Sequence, residues 1–163
     1  MHNRKFSSLF NDIRGFTLGE MLVVVTIISI VTAIGMPAFM AFQPGFRLNG
    51  GAREILGRLM WARAEAVEEN ATYVVNFPNN CINNCYTVRV FNDANLNGTW
   101  DTGEWTQLIN IQSEYPGVTF SVSGPNPTFN GRGTANGSTT ITISNSNGSK
   151  TVTVSPTGNV KIS

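Results

Sequence analysis

Histidine and cysteine are nearly absent from this chain. The 163 residues contain one histidine, His2, and two cysteines, Cys81 and Cys85. A single histidine excludes an HExxH metal motif, no Ser-His-Asp set is recognisable, and two cysteines without a nearby histidine are too few soft ligands for structural zinc. A phosphate-cradling glycine loop and a CxxC pair are also missing. Carboxylates such as Glu114 have no visible acid–base partner, so nothing in the sequence points to an enzyme. An excess of one charge is lacking too. Eleven basic side chains stand against ten acidic ones, a formal net of +1, which gives no bulk electrostatic pull toward nucleic acid.

The apolar residues are unevenly spread. Residues 21–42 form a run of 22 without a charge. As a helix it would reach roughly 33 Å, enough to cross the hydrocarbon core of a bilayer and longer than the apolar region of a cleaved secretory signal. Three residues interrupt its character. Gly35 and Pro37 lie inside, and Pro37 lacks the amide donor a helix needs, so a kink is expected there. Glu20 stands at the very start, where an ionisable group is costly unless paired and is a functional candidate. The plainer reading is a carboxylate reaching to the headgroups. Ahead of this run, residues 1–15 carry Arg4, Lys5 and Arg14 against Asp12, and without them the chain has 8 basic and 9 acidic side chains. That basic leader favours the cytoplasmic side and leaves the remainder facing outward.

The order Arg14-Gly15-Phe16-Thr17-Leu18-Gly19-Glu20-Met21-Leu22, followed by the apolar run with Pro37, resembles the class III signal of type IV pilins and type II secretion pseudopilins. The resemblance implies cleavage by a prepilin peptidase after Gly15 and N-methylation of the new amino terminus, Phe16. It implies that Glu20 pairs with the amino terminus of a neighbouring subunit during assembly, and that Pro37 bends the helix. A glycine before the cut lets the backbone enter a protease site extended, and an amine and a carboxylate attract strongly in low dielectric. Gly19 departs from the family, which usually carries a bulky aliphatic residue there.

Pro44-Gly45 reads as a bend and Gly50-Gly51 as a second soft spot. Beyond them Ile55, Leu56, Leu59, Met60, Ala62, Ala66 and Val67 recur at helical spacing among charged residues, an amphipathic helix with one face for a sheet and a stop at Asn70. The segment Ala62-Arg63-Ala64-Glu65-Ala66-Val67, with Tyr73-Val74-Val75 after it, is similar to the GspH/FimT branch of pseudopilins and minor pilins. From residue 72 onward the chain reads as short strands at 72–77, 86–91, 105–111, 117–122, 139–144, 150–155 and 159–162, divided by turn pairs such as Asn97-Gly98, Asn136-Gly137 and Asn147-Gly148. Alternation in Thr140-Ile141-Thr142-Ile143 and Thr151-Val152-Thr153-Val154 suits antiparallel sheet with one wet face.

The expected fold is α+β. A long N-terminal helix, membrane-spanning in its first half and amphipathic in its second, packs on an antiparallel β-sheet globular domain. The expected segments are a cleaved leader (1–15), a membrane or filament-core helix (16–42), an amphipathic helix (43–70) and a β-rich GspH/FimT-like domain (71–163).

Two loops carry further chemistry. Asp93, Asn95, Asn97, Gly98 and Glu104 fit the spacing D-x-N-x-N-G-x5-E of a calcium loop, with Thr99 offering a carbonyl and Asp101 acting directly or through water. Strands flank it where an EF-hand has helices, so it would clip a hairpin. The competing reading is an Asn/Asp/Gly loop held by its own hydrogen bonds. No cofactor is required, and Ca2+ is the one ligand this loop suggests. Cys81 and Cys85 sit in an Asn-rich loop. Export would favour a disulfide closing it, and two free thiols are the alternative.

The function these readings imply is that of a minor pilin or pseudopilin. It would be held in the bacterial inner membrane by a single pass with its globular domain in the periplasm, then assembled with other pilins or pseudopilins into a type II secretion pseudopilus or a type IV pilus. A DNA-binding role in natural transformation is the alternative. Relatives with that role use a carboxy-terminal Gly-Arg-x-Arg element, and the matching place here reads Gly158-Asn159-Val160-Lys161. One cation replaces two, and Arg132 and Lys150 could add only a weak patch, so DNA contact is disfavoured. A domain on a simple membrane anchor, without a filament, would share the hydropathy but not the cleavage.

Overall fold

The structure is a computed structural model that describes residues 15–78 and 86–163. It divides into two compact units, Met1–Ala41 and Phe42–Ser163. In the first, the described residues are three non-helical ones followed by the opening of helix α1 (Leu18–Glu68). Every apolar side chain there is exposed, as expected of a helix whose solvent is lipid or other helices. Its few hydroxyls do not stay unpaired: Thr26, Ser29 and Thr32 donate to the carbonyls of Leu22, Val25 and Ile28, each at 2.7 Å.

The second unit holds the rest of α1 and all the strands. Helix α1 runs unbroken through Pro44-Gly45 and Gly50-Gly51, which corrects the expected bend and soft spot. The reason at the glycine pair is packing. A Cβ on Gly50 would overlap the Tyr115 ring, and one on Gly51 would lie 3.1 Å from Val118 Cγ1. The two glycines form a notch that lets Tyr115 and Val118 close on the helix. At Pro44, the carbonyl accepts from Asn145 Nδ2 at 2.7 Å, tying the turn to the far hairpin. The helix ends at Glu68, and Asn70 takes the left-handed conformation (φ 50°) while Ala71 N–H bonds the Ala66 carbonyl at 3.1 Å.

The strands are β1 (Tyr73–Asn76), β2 (Thr87–Asn92), β3 (Thr106–Asn110), β4 (Thr119–Ser123), β5 (Thr128–Phe129), β6 (Thr139–Asn145), β7 (Gly148–Val154) and β8 (Val160–Ile162), with a short helix α2 (Ile111–Glu114) between β3 and β4. The seven expected strands are all present, each end within two residues. They build two four-stranded antiparallel sheets, β3-β2-β1-β5 and β4-β6-β7-β8, where a single sheet was expected. Strand β5 was missed because two residues are too few to show alternation. Helix α2 starts where Asn110 accepts the Ser113 N–H at 3.1 Å, which cuts the expected strand one residue short.

Register follows the alternation. Ile141 pairs with Val152 and Thr139 with Val154, so the isoleucines and valines of β6 and β7 turn to the same face. That face meets Leu48, Ala52, Ile55, Leu59, Ala62 and Ala66 of α1, together with Val75, Val88, Val90 and Ile109 of the first sheet. Burying Ile55 and Leu59 fully contributes about 2–3 kcal/mol each. Met60 and Val67, read from spacing as part of the packing face, are instead exposed by 55% and 51%. They fall on the opposite side of the helix from Ala62 and Ala66, because the buried face is narrower than the apolar pattern.

Candidate functional site

The expected processing region begins with Gly15, Phe16 and Thr17, all outside the helix and exposed. Thr17 is the helix cap. Its N–H donates to Glu20 Oε2 at 2.9 Å, its hydroxyl meets the same oxygen at 3.0 Å, and the Glu20 N–H donates back to Thr17 Oγ1 at 3.2 Å. This reciprocal pairing satisfies orphan donors of the first turn and fixes where α1 starts. Glu20 therefore has an intrachain partner that sequence reading missed, although the Thr-x-x-Glu spacing signals it. The Gly15–Phe16 bond lies just ahead of that cap. A Cβ on Gly19 would meet Thr17 Oγ1 at 4.0 Å, an ordinary contact. Pro37 stays inside α1.

The loop after β2 gathers the candidate cation ligands. Asp93 is 2% exposed, and its two carboxylate oxygens accept from the N–H groups of Asn97 (3.0 Å) and Gly98 (2.8 Å). The amides of Asn95 and Asn97 both donate to Asp101 Oδ2, at 2.7 and 2.6 Å. Those two bonds hold the exposed Asp101 carboxyl below its ordinary pKa. Asn97 Oδ1 accepts from the N–H and hydroxyl of Thr99, at 2.7 and 2.8 Å. Glu104 closes the loop, accepting from Ala94 N–H at 3.1 Å and Asp101 N–H at 3.0 Å. Gly98 (φ 75°) supplies the sharp turn.

Side chains at the third, fifth and ninth loop positions thus converge through N–H donors, while the twelfth, Glu104, accepts from backbone N–H groups. Among the described residues no three His, Cys, Asp or Glu side chains form a set that could hold a metal ion. The donor set still fits a hard cation: a half-turn of the Asn95 and Asn97 amides would aim oxygens where nitrogens now lie. Arg89 of β2 reaches onto the loop and stacks over the Trp100 ring, 4.6 Å from its centroid.

The candidate DNA cations are not brought together. Lys150 stands across from Ile143 on the core-facing side of its sheet, whereas Lys161 stands across from Thr153 on the other side. Arg132 is exposed in the loop after β5, its N–H bonded to Asn130 Oδ1 at 3.0 Å. Cys81 and Cys85 lie outside the described residues.

Comparison with known proteins agrees with this layout. The family model for type II transport protein GspH matches residues 51–158, and that for the prokaryotic N-terminal methylation motif matches residues 10–36. No curated protein sequence matches significantly. Among solved structures, the fold is similar to the type IV minor pilin FimU of Pseudomonas aeruginosa, at a TM-score of 0.54 and 16% identity, covering 71% of this chain and 92% of that one. It is likewise similar to the minor pseudopilin EpsH from the type 2 secretion system of Vibrio cholerae, at a TM-score of 0.55 and 13% identity, covering 72% and 96%. With a methylation motif opening an exposed apolar helix and the GspH model covering most of the globular unit, the chain belongs to the GspH family and is a minor pilin or pseudopilin.

Proposed function

We propose that this subunit is cut after Gly15, N-methylated on Phe16, and drawn from the inner membrane into a filament with its globular unit on the periplasmic side. The observation that supports this reading is the methylation motif over residues 10–36, within which the Gly15–Phe16 bond lies just ahead of the Thr17–Glu20 cap. A backbone outside the helix can enter a protease cleft without unwinding a turn. Once Phe16 is the amino terminus, its amine lies close in sequence to a carboxylate that can exchange its own-chain partner for a neighbour's amine. The exposed apolar face of α1 supplies the packing surface for other pilins, and Glu20 supplies the register that apolar contacts alone do not fix.

The test is intact mass and amino-terminal sequencing of the chain expressed with a prepilin peptidase, beside Gly15→Ala. Loss of residues 1–15 and a methylated Phe16, both dependent on Gly15, are expected. An uncut chain would remove this reading.

For the 93–104 loop we propose a hairpin clip that closes by hydrogen bonds alone and is tightened by Ca2+. Asp93, Asn95, Asn97, Asp101 and Glu104, with the Thr99 carbonyl, are the oxygens that would hold the ion.

A further inference from the structure

The two edges of the first sheet carry opposite chemistry. Beside β3, Trp61 of α1 packs against Trp105 with ring centroids 5.2 Å apart and the planes tilted by 47°, and each is 6.3 Å from the Tyr73 ring of β1. Trp105 is 49% exposed, a large indole left to solvent. Glu69 accepts from the Tyr73 hydroxyl at 2.6 Å and from Asn92 Nδ2 at 3.2 Å, both neutral donors. Trp61, Glu65 and Glu69 follow one another at four-residue spacing along the end of α1, where Glu69 N–H bonds the Glu65 carbonyl at 2.9 Å, so the three share one face. Burial, then the bond to Glu69 and the charges of Glu69 and Glu65, push the Tyr73 hydroxyl pKa up. Among the described residues the only ion pair is Arg58 with Glu54, so neither Glu65 nor Glu69 is neutralised there.

The opposite edge is built the other way. Strand β5 leads into a loop whose Gly133 carbonyl accepts from Arg63 Nε at 2.8 Å, with the exposed Arg132 beside it. Next to that contact runs a shallow groove of ≈ 460 Å³ lined by Met60, Arg63, Ala64, Val67 and Glu68 of α1.

We propose that the β3-edge flank of Trp61, Trp105, Glu65 and Glu69 docks an arginine presented by the adjoining subunit of the filament, of the kind this chain presents at its own β5 edge. An indole face attracts a guanidinium, and carboxylates without a cationic partner beside it supply charge-assisted hydrogen bonds. Head-to-tail packing places unlike flanks together, and one aromatic and acidic flank against one apolar and arginine-bearing flank is complementary in both respects. This inference rests on the filament reading and names its lateral contact.

The test replaces Trp105 with benzoylphenylalanine, a photoreactive aromatic, in the full chain in its host, and identifies crosslinked peptides by mass spectrometry. Expected is a crosslink to an arginine-bearing segment of another pilin or pseudopilin. Its yield should fall about fivefold or more when Glu65→Gln and Glu69→Gln are added, and similarly in high salt. Folding of the double variant is checked by circular dichroism. A chain that is cleaved and incorporated but gives no such crosslink overturns the docking alone, as does a yield indifferent to the two glutamates or a crosslink to a protein outside the filament. A chain never cleaved overturns the filament reading, and the docking with it.

Discussion

Gly50 lies directly beneath the ring of Tyr115, so close that a methyl group on Gly50 would overlap it. Two residues 65 apart in sequence thereby fix how α1 meets the segment after α2. Gly50→Ala should destabilise the globular unit by about 2 kcal/mol, because a buried helix cannot retreat from the ring without opening its neighbours. The check is thermal unfolding followed by circular dichroism. Tyr115→Ala in the same chain should recover part of the loss, and strict additivity of the two changes would contradict the contact.

Arg63 joins the far end of α1 to the β5–β6 loop through the Gly133 carbonyl. Arg63→Met keeps most of the apolar stem and removes the donor, and should cost about 1–2 kcal/mol. Arg63→Lys should recover little, since the bond comes from the guanidinium Nε. Denaturant unfolding at neutral pH measures both.

Glu20 can be separated into its two parts. Glu20→Gln keeps a side chain able to cap Thr17 but removes the charge, whereas Glu20→Ala removes both. Cleavage after Gly15 should persist in each, and filament incorporation should be lost in each. Incorporation of the Gln variant at the normal level would show that capping, not charge, is what assembly needs.

The loop that opens with Asp93 should respond to calcium. Millimolar Ca2+ should raise the melting temperature by a few degrees, by the mass-action stabilisation of a ligand that binds only the folded chain. Asp101→Asn should abolish that rise, and magnesium should not reproduce it. No shift with calcium would leave the hydrogen-bonded clip as the whole account. Because hydrogen bonds from Asn95 and Asn97 hold the Asp101 pKa low, its contribution is present above the ordinary aspartate pKa of about 4 and fades as pH falls through the depressed folded value.

Tyr73 makes the alkaline counterpart. Burial and then its bond to Glu69 raise the hydroxyl pKa, so the folded state favours the neutral phenol. A raised pKa means that this stability is complete below the unfolded value of about 10 and is lost as pH rises toward the folded one. Burial raises the Tyr115 hydroxyl as well, so in an ultraviolet titration Tyr73 should be the last tyrosine to ionise, and Tyr73→Phe should remove that last step while the Tyr115 step persists.

Much of this was legible in the residue order. The apolar run of 21–42 needs no partner to be recognised, and neither does the Thr/Ile alternation of β6, because helix and strand periods are local properties. The Thr17–Glu20 cap is equally local and was readable. Helix continuity was not. Pro44, Gly45, Gly50 and Gly51 are breakers by propensity, and only contacts from Asn145, Tyr115 and Val118 show why the helix persists through them.

What the sequence alone determined is therefore the chain's local grammar: a basic leader, a capped apolar helix, an amphipathic continuation, and strands set by alternation and turn pairs. The tertiary structure decided the rest. It split the strands into two sheets, exposed Met60 and Val67, set Lys150 and Lys161 on opposite faces, and gathered Trp61, Tyr73 and Trp105 beside Glu69. Those outcomes depend on which distant segments meet, and distance along the chain carries no record of that until the core has closed.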